Sequence, residues 1–194
     1  AARNGMRALV VSYTHPAPVL REVVERRLSE YGLSTEGVGE LLDRHMEIVA
    51  LNPFAHSLTQ LIARELMLIE QRKPDIVVFW GVHIPTYTNH AAGFKELFNE
   101  LMYLKSREVT VVRVGPCLSE EVCNAETSIS DVAYRFVRVL GEGANLDTRL
   151  YIYERFREPR VVPGSVFGEV VLRCVRLLKE YAERLRVSVP ERGS

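Results

Sequence analysis

Residues Asp75–Gly81 read DIVVFWG, announced by Pro74 and closed by a glycine. The run is apolar on consecutive rather than alternate residues, the pattern of a parallel strand covered on both faces. Working outward, Arg7–Tyr13 (RALVVSY), Glu47–Leu51 (EIVAL), Val109–Val114 (VTVVRV) and Thr148–Tyr153 (TRLYIY) are further short apolar runs. Helical patterns separate them. The first spans Pro18–Tyr31, with Val19, Val23, Val24 and Leu28 on one face and Gly32 just beyond its end. A short helical piece, Gly37–Met46, precedes the second run, and Ser57 can cap a helix through Arg72 that carries Leu58, Leu61, Ile62, Leu66 and Ile69 inward. A polar loop after Gly81 leads to a helix over Ala91–Lys105. Ser130 is placed to cap a helix over Asp131–Leu140, and Ser165 to cap a last helix carrying Val166, Val170, Cys174 and Leu177 on one face.

Strand and helix alternating in this way predict right-handed crossovers and a parallel sheet between two helical layers. Five strands without a sixth select the flavodoxin-like order 2-1-3-4-5. The expectation is therefore a single three-layer, doubly wound α/β domain over residues 1–194, with 1–5 set aside as an extension. Lys plus Arg and Asp plus Glu number 25 each, so no overall field recommends a nucleic acid or an anionic membrane as partner. No run reaches the roughly 20 apolar residues of a membrane span. The start of the chain lacks the long apolar stretch of a secretory signal, so it reads as cytoplasmic. The three cysteines are an odd number without a Cys-x-x-Cys pair and signal neither a disulfide framework nor a zinc site.

Ligands of such sheets bind beyond the carboxyl ends of the strands, beside the point where the strand order reverses. Three loops matter on that ground: Ser12–Pro18, Val82–Ala92 and Gly115–Ala125. DIVVFWGVHIPTYTNHAAGFKELFNELM, residues 75–102, resembles the third strand, loop and helix of the flavodoxin-like NAD(P)H-dependent FMN and quinone reductases. In that family a Pro-x-Tyr-Asn loop precedes a helix with a lysine on its first turn; Pro85, Tyr87, Asn89 and Lys95 fall at or near the matching places. SYTHPAPVLREVVERRL, residues 12–28, is similar to the quinone-reductase opening, and ALNPFAHSLTQ, residues 50–60, loosely resembles the stretch after that family's second strand.

The resemblance implies a flavoprotein oxidoreductase that passes electrons from NAD(P)H through FMN, or else FAD, to a small-molecule acceptor such as a quinone or free flavin. It also implies a homodimer or higher homo-oligomer. On this reading Ser12, Thr14 and His15 meet the phosphate, while Pro16 and Pro18 withhold two N–H donors. Pro85, Thr86, Tyr87, Thr88 and Asn89 border the flavin, and Gly115, Pro116 and Cys117 line its other edge. No catalytic residue is singled out, because the flavin carries the hydride chemistry. Cys117 and Cys123 are open to two readings, a redox pair or idle thiols. His15, His83 and His90 lack a carboxylate at recognised spacing, so no metal is expected. The alternative is a non-catalytic binding or interaction protein of the same fold that has lost the flavin, a reading the glycine-free, proline-bearing first loop favours.

Overall fold

The computed structural model describes residues 5–140, 146–155 and 157–188. The chain divides into two compact units, Ala1–Pro116 with Leu177–Ser194, and Cys117–Arg176. In the first, β1 (Ala8–Ser12), β2 (Met46–Ala50), β3 (Ile76–Trp80) and β4 (Thr110–Val114) form a four-stranded sheet in the order β2-β1-β3-β4. All three pairings are parallel, and the register aligns Ser12 with Ala50 and Trp80, and Trp80 with Val114, at the carboxyl ends. This is an α/β unit with a parallel sheet, compatible with a flavodoxin-like arrangement.

The connecting helices form where their caps and apolar spacing place them. Helix α1 (Ala17–Glu30) carries Pro18 in its first turn, where a missing N–H costs no intrahelical bond. Helix α2 (Thr35–His45) starts at Ser34, whose hydroxyl accepts from the Gly37 N–H. Helix α3 (Leu58–Arg72) begins in a reciprocal capping box between Ser57 and Gln60. The main core forms where Leu58, Leu61 and Ile69 of α3 and Leu97 and Leu104 of α4 (His83–Ser106) meet Leu9, Val11, Val77 and Phe79 of the sheet. Val10 and Ser12, on the opposite side of β1, are buried as well, so both faces of this central strand are covered. Trp80 lies at the sheet end and is 37% exposed.

Three expectations are corrected. The polar loop before Ala91 is absent, because α4 starts at His83. Gly81, at φ +85°, turns the chain out of the strand, and the Ile84 N–H closes on the Gly81 carbonyl at 3.1 Å. Pro85 then occupies the third helical position, where no intrahelical N–H is required.

The second correction concerns the stretch after β4. The supposed loop contains α5 (Glu120–Ile129), capped by the Ser119 hydroxyl, and the supposed helix over Asp131–Leu140 is strand β5 (Val132–Leu140). Third, the run expected as a fifth parallel strand is part of β6 (Leu146–Glu154). It pairs antiparallel with β5 on one side and β7 (Arg160–Pro163) on the other, in a separate three-stranded sheet. Residues 117–176 hold this sheet, α5, a Cys117–Cys123 disulfide and the first part of α6 (Gly164–Ser188). No described helix is long and apolar enough to cross a membrane.

Candidate functional site

The chain leaves β1 through Tyr13–Pro16, a turn short enough to be closed by one side chain. The Ser12 hydroxyl donates to the His15 carbonyl at 2.8 Å and accepts from the His15 N–H at 3.1 Å. Ser12 is only 1% exposed, so its hydroxyl is a turn lock rather than a ligand donor. Thr14 Oγ1 lies 2.7 Å from His15 Nδ1, and His15 itself is exposed.

Thr14 packs on the first residue after β3. A Cβ at Gly81 would sit 2.5 Å from Thr14 Cγ2, so both the left-handed backbone and this close approach require glycine. Gly81 and Val82 donate their N–H groups to the Val114 carbonyl at 2.7 and 3.3 Å, tying the end of β3 to the end of β4. Gly115 then lies against the start of α4, where a Cβ would come within 3.3 Å of His83 N and Nδ1. The three loops singled out from the sequence thus converge at Thr14, Gly81, His83 and Gly115. His83 Nδ1 is buried there with no hydrogen-bond partner, and burial lowers the imidazole pKa, keeping the ring neutral near pH 7.

The other expected residues are distributed differently. Pro85 is fully buried in the first turn of α4. The backbone of Thr86, Tyr87, Thr88 and Asn89 is helical, and their side chains lie outside the described residues. Pro116 is exposed at the end of the first unit. Cys117 belongs to the second unit and is joined to Cys123 in a disulfide, which the cysteine spacing did not signal.

A flavin mononucleotide needs hydroxyl and amide donors for its phosphate and a flat slot for its ring. Here Ser12 faces inward and Pro16 and Pro18 carry no N–H; among the α1 first-turn amides this leaves only Ala17 and Val19. The loop expected to flank the ring is helix. Of the groups the resemblance implies, the Ser12 hydroxyl is engaged in its own turn, while the side chains of Thr86–Asn89 lie outside the described residues.

A second polar group lies in the first unit's core, reached from the same turn by Tyr13. Tyr13 stacks on Phe79, their ring centroids 6.3 Å apart, and donates its hydroxyl to Glu65 Oε1 at 2.8 Å. Glu65 of α3 is fully buried and Glu100 of α4 is 4% exposed. Burial, the neighbouring Glu65 charge and the hydrogen bond between the two carboxyls push Glu100 up to about 10, with Arg113 of β4 opposing. Burial raises Glu65 as well, against its hydrogen bonds from Glu100 and Tyr13 and the Arg113 charge. Two carboxyls this close in a dry site share one proton, since both cannot ionise there. Burial, and then the two carboxylates, raise the Tyr13 hydroxyl well above its usual range.

The sequence reading did not single out this cluster, yet it carried a signal. Glu65 falls on the same α3 stripe as Leu58, Leu61 and Ile69, and Glu100 sits among Leu97, Leu101 and Leu104 of α4. An acidic residue in register with an apolar stripe is the sequence mark of a buried carboxyl. A small, largely apolar pocket of about 270 Å³ lies between Ala17, Pro18 and Arg21 of α1, Leu42 of α2, and Met46 and Ile48 of β2. No family model matches the chain, and no curated protein matches it either.

Proposed function

We propose that the α/β unit is a binding module for a small anionic ligand, of phosphate or nucleoside monophosphate type, held at the carboxyl ends of β1, β3 and β4 and not used for flavin redox chemistry. The observation that carries this reading is His83, whose buried Nδ1 has no partner at the point where the three loops meet. The sheet supports it, because β2 and β3 flank β1 on opposite sides and their connections depart in opposite directions. The starts of α1 and α4 both lie at this end of the sheet, where aligned peptide dipoles favour an anion and α1 still offers the Ala17 and Val19 N–H groups. His83, protonated or as a neutral N–H donor, adds a directed contact.

Equilibrium dialysis and thermal shift with inorganic phosphate and AMP as probes test the proposal. Saturable binding is expected, weakened about 10-fold or more in His83→Ala, the equivalent of losing one hydrogen bond to a charged group. Affinity is expected to rise as the pH falls below neutrality, because burial holds the free ring's pKa low and an anion stabilises its protonated form. Arg160→Ala, remote in sequence on β7, serves as the unaffected control. Quenching of FMN fluorescence on titration, with a flavin absorbance retained through purification, would instead restore the reductase reading. Absence of binding to all three probes would sink both.

A further inference from the structure

We infer that the Cys117–Cys123 bridge is a site of thiol–disulfide exchange, opened by a dithiol reductant that attacks Cys117 and expels Cys123. The bridge joins the stretch that leaves β4 to the first turn of α5. No backbone hydrogen bond to a described residue holds Pro116, Cys117 or Leu118, so the sulfur–sulfur bond is what fastens this stretch to the helix. Cys117 is exposed between exposed neighbours, Pro116 and Leu118. Exchange needs an incoming thiolate to reach a sulfur of the bridge, and this bridge is open on the Cys117 side. Cys123 is half-buried, which directs the attack to the other sulfur.

Exchange is also faster where the leaving sulfur is a stable thiolate. Cys123 is the fourth residue of α5, and its N–H donates to the Ser119 carbonyl at 3.1 Å. A helical side chain tilts back toward the N-terminus, so the Cys123 sulfur is carried toward first-turn N–H groups that have no intrahelical acceptor and toward the positive end of the helix dipole. That setting lowers a thiol pKa. Glu120 and Glu121 of the same turn oppose it, and Arg135 of β5, 3.7 Å from the Glu120 carboxylate, offsets one of them. Cys117 lies outside the helix and has no such support.

In the first step a thiolate of the reductant bonds to Cys117 Sγ, the bridge breaks, and Cys123 leaves with the electron pair. The second thiol of the reductant then attacks its own bonded sulfur, closing a disulfide in the reductant and releasing Cys117. Each released sulfur takes up a proton that an attacking thiol gave up, so two electrons and two protons pass from the dithiol to the bridge. The Cys117 thiol then has an acceptor in place, the Ser119 carbonyl oxygen 3.7 Å from Sγ. Because the sequence separation is only 6, opening the bridge releases little constraint on the unfolded chain, and the fold is expected to survive it.

The full chain in a Cys174→Ser background, which removes the exposed free thiol, tests the assignment when purified without reductant. Thiol titration is expected to find none before and two per chain after native treatment with dithiothreitol; the wild type is expected to show one and then three. Native reduction is expected within about 10-fold of the rate in denaturant, since access rather than unfolding limits it, and the circular dichroism spectrum is expected to persist. Excess glutathione serves as a monothiol probe of the first step. After quenching with N-ethylmaleimide, peptide mass spectrometry is expected to find glutathione on Cys117 and maleimide on Cys123. Both thiols free in the protein as purified would overturn the inference. So would slower native reduction than stated, a spectrum lost on reduction, or glutathione found on Cys123 or on neither sulfur.

Discussion

The Glu65–Glu100 pair makes the fold sensitive to pH in an unusual direction. A carboxyl whose pKa is raised on folding holds a proton that the unfolded chain releases, so its contribution to stability is intact below the ordinary carboxyl value of 4.5 and is lost as the pH rises toward about 10. Wild-type protein is therefore expected to melt at a lower temperature at about pH 9 than at about pH 6. Glu100→Gln, which keeps a donor for Glu65 but carries no titrating proton, is expected to flatten that slope and to stabilise the protein at the higher pH. Thermal unfolding across this range checks both statements, and an equal slope in the variant would refute the shared proton. Much of this was legible from position, since both residues interrupt leucine stripes. What the sequence could not give was their mutual approach from two helices, or the Tyr13 hydroxyl that reaches Glu65 from 52 residues away.

The elements show where local pattern suffices and where context overrides it. Helix α3 is legible at its first residue because Ser57 and Gln60 satisfy each other's backbone N–H groups. Ser57→Ala is expected to cost about 1 kcal/mol, measured by chemical denaturation, since it leaves one of those donors without its oxygen. Helix α4 was misjudged because Pro85, Thr86, Thr88 and Asn89 have the composition of a loop, whereas the left-handed Gly81 and a proline early in the first turn suit a helix start. The stretch 131–140 was misjudged for a different reason. Ser130, taken as an N-cap, follows α5 as its C-terminal cap residue, and Val132, Tyr134, Phe136, Val137 and Val139 favour a strand once β6 is there to pair with.

At the scale of the molecule, the sheet order β2-β1-β3-β4 followed from alternation and the handedness of crossovers, and four of the five expected strands take their places in it. The fifth did not, because Thr148–Tyr153 has a close neighbour in sequence, β5, with which it can form a hairpin at less entropic cost than a further crossover. The disulfide of the second unit closes a short loop, with a sequence separation of 6. Reduction is therefore expected to lower stability by only about 2 kcal/mol, the low end for such bridges, because the entropy withheld from the unfolded chain grows with loop length. Calorimetry with and without reductant measures it, and complete loss of the folded state on reduction would show that the bridge acts by more than loop closure.

Tyr13 stands between Ser12, which locks the first turn, and Thr14, which touches Gly81, while its hydroxyl reaches down to the acid pair. Any ligand that shifts this turn must tug on that hydroxyl and, through Glu65, change the hydrogen bond made by the protonated Glu100 carboxyl. The carbonyl stretch of a neutral acid in a dry core falls clear of the amide bands. Infrared difference spectroscopy, with isotope-labelled glutamate to assign the signal, would let the protein report occupancy of its own crevice without an added dye.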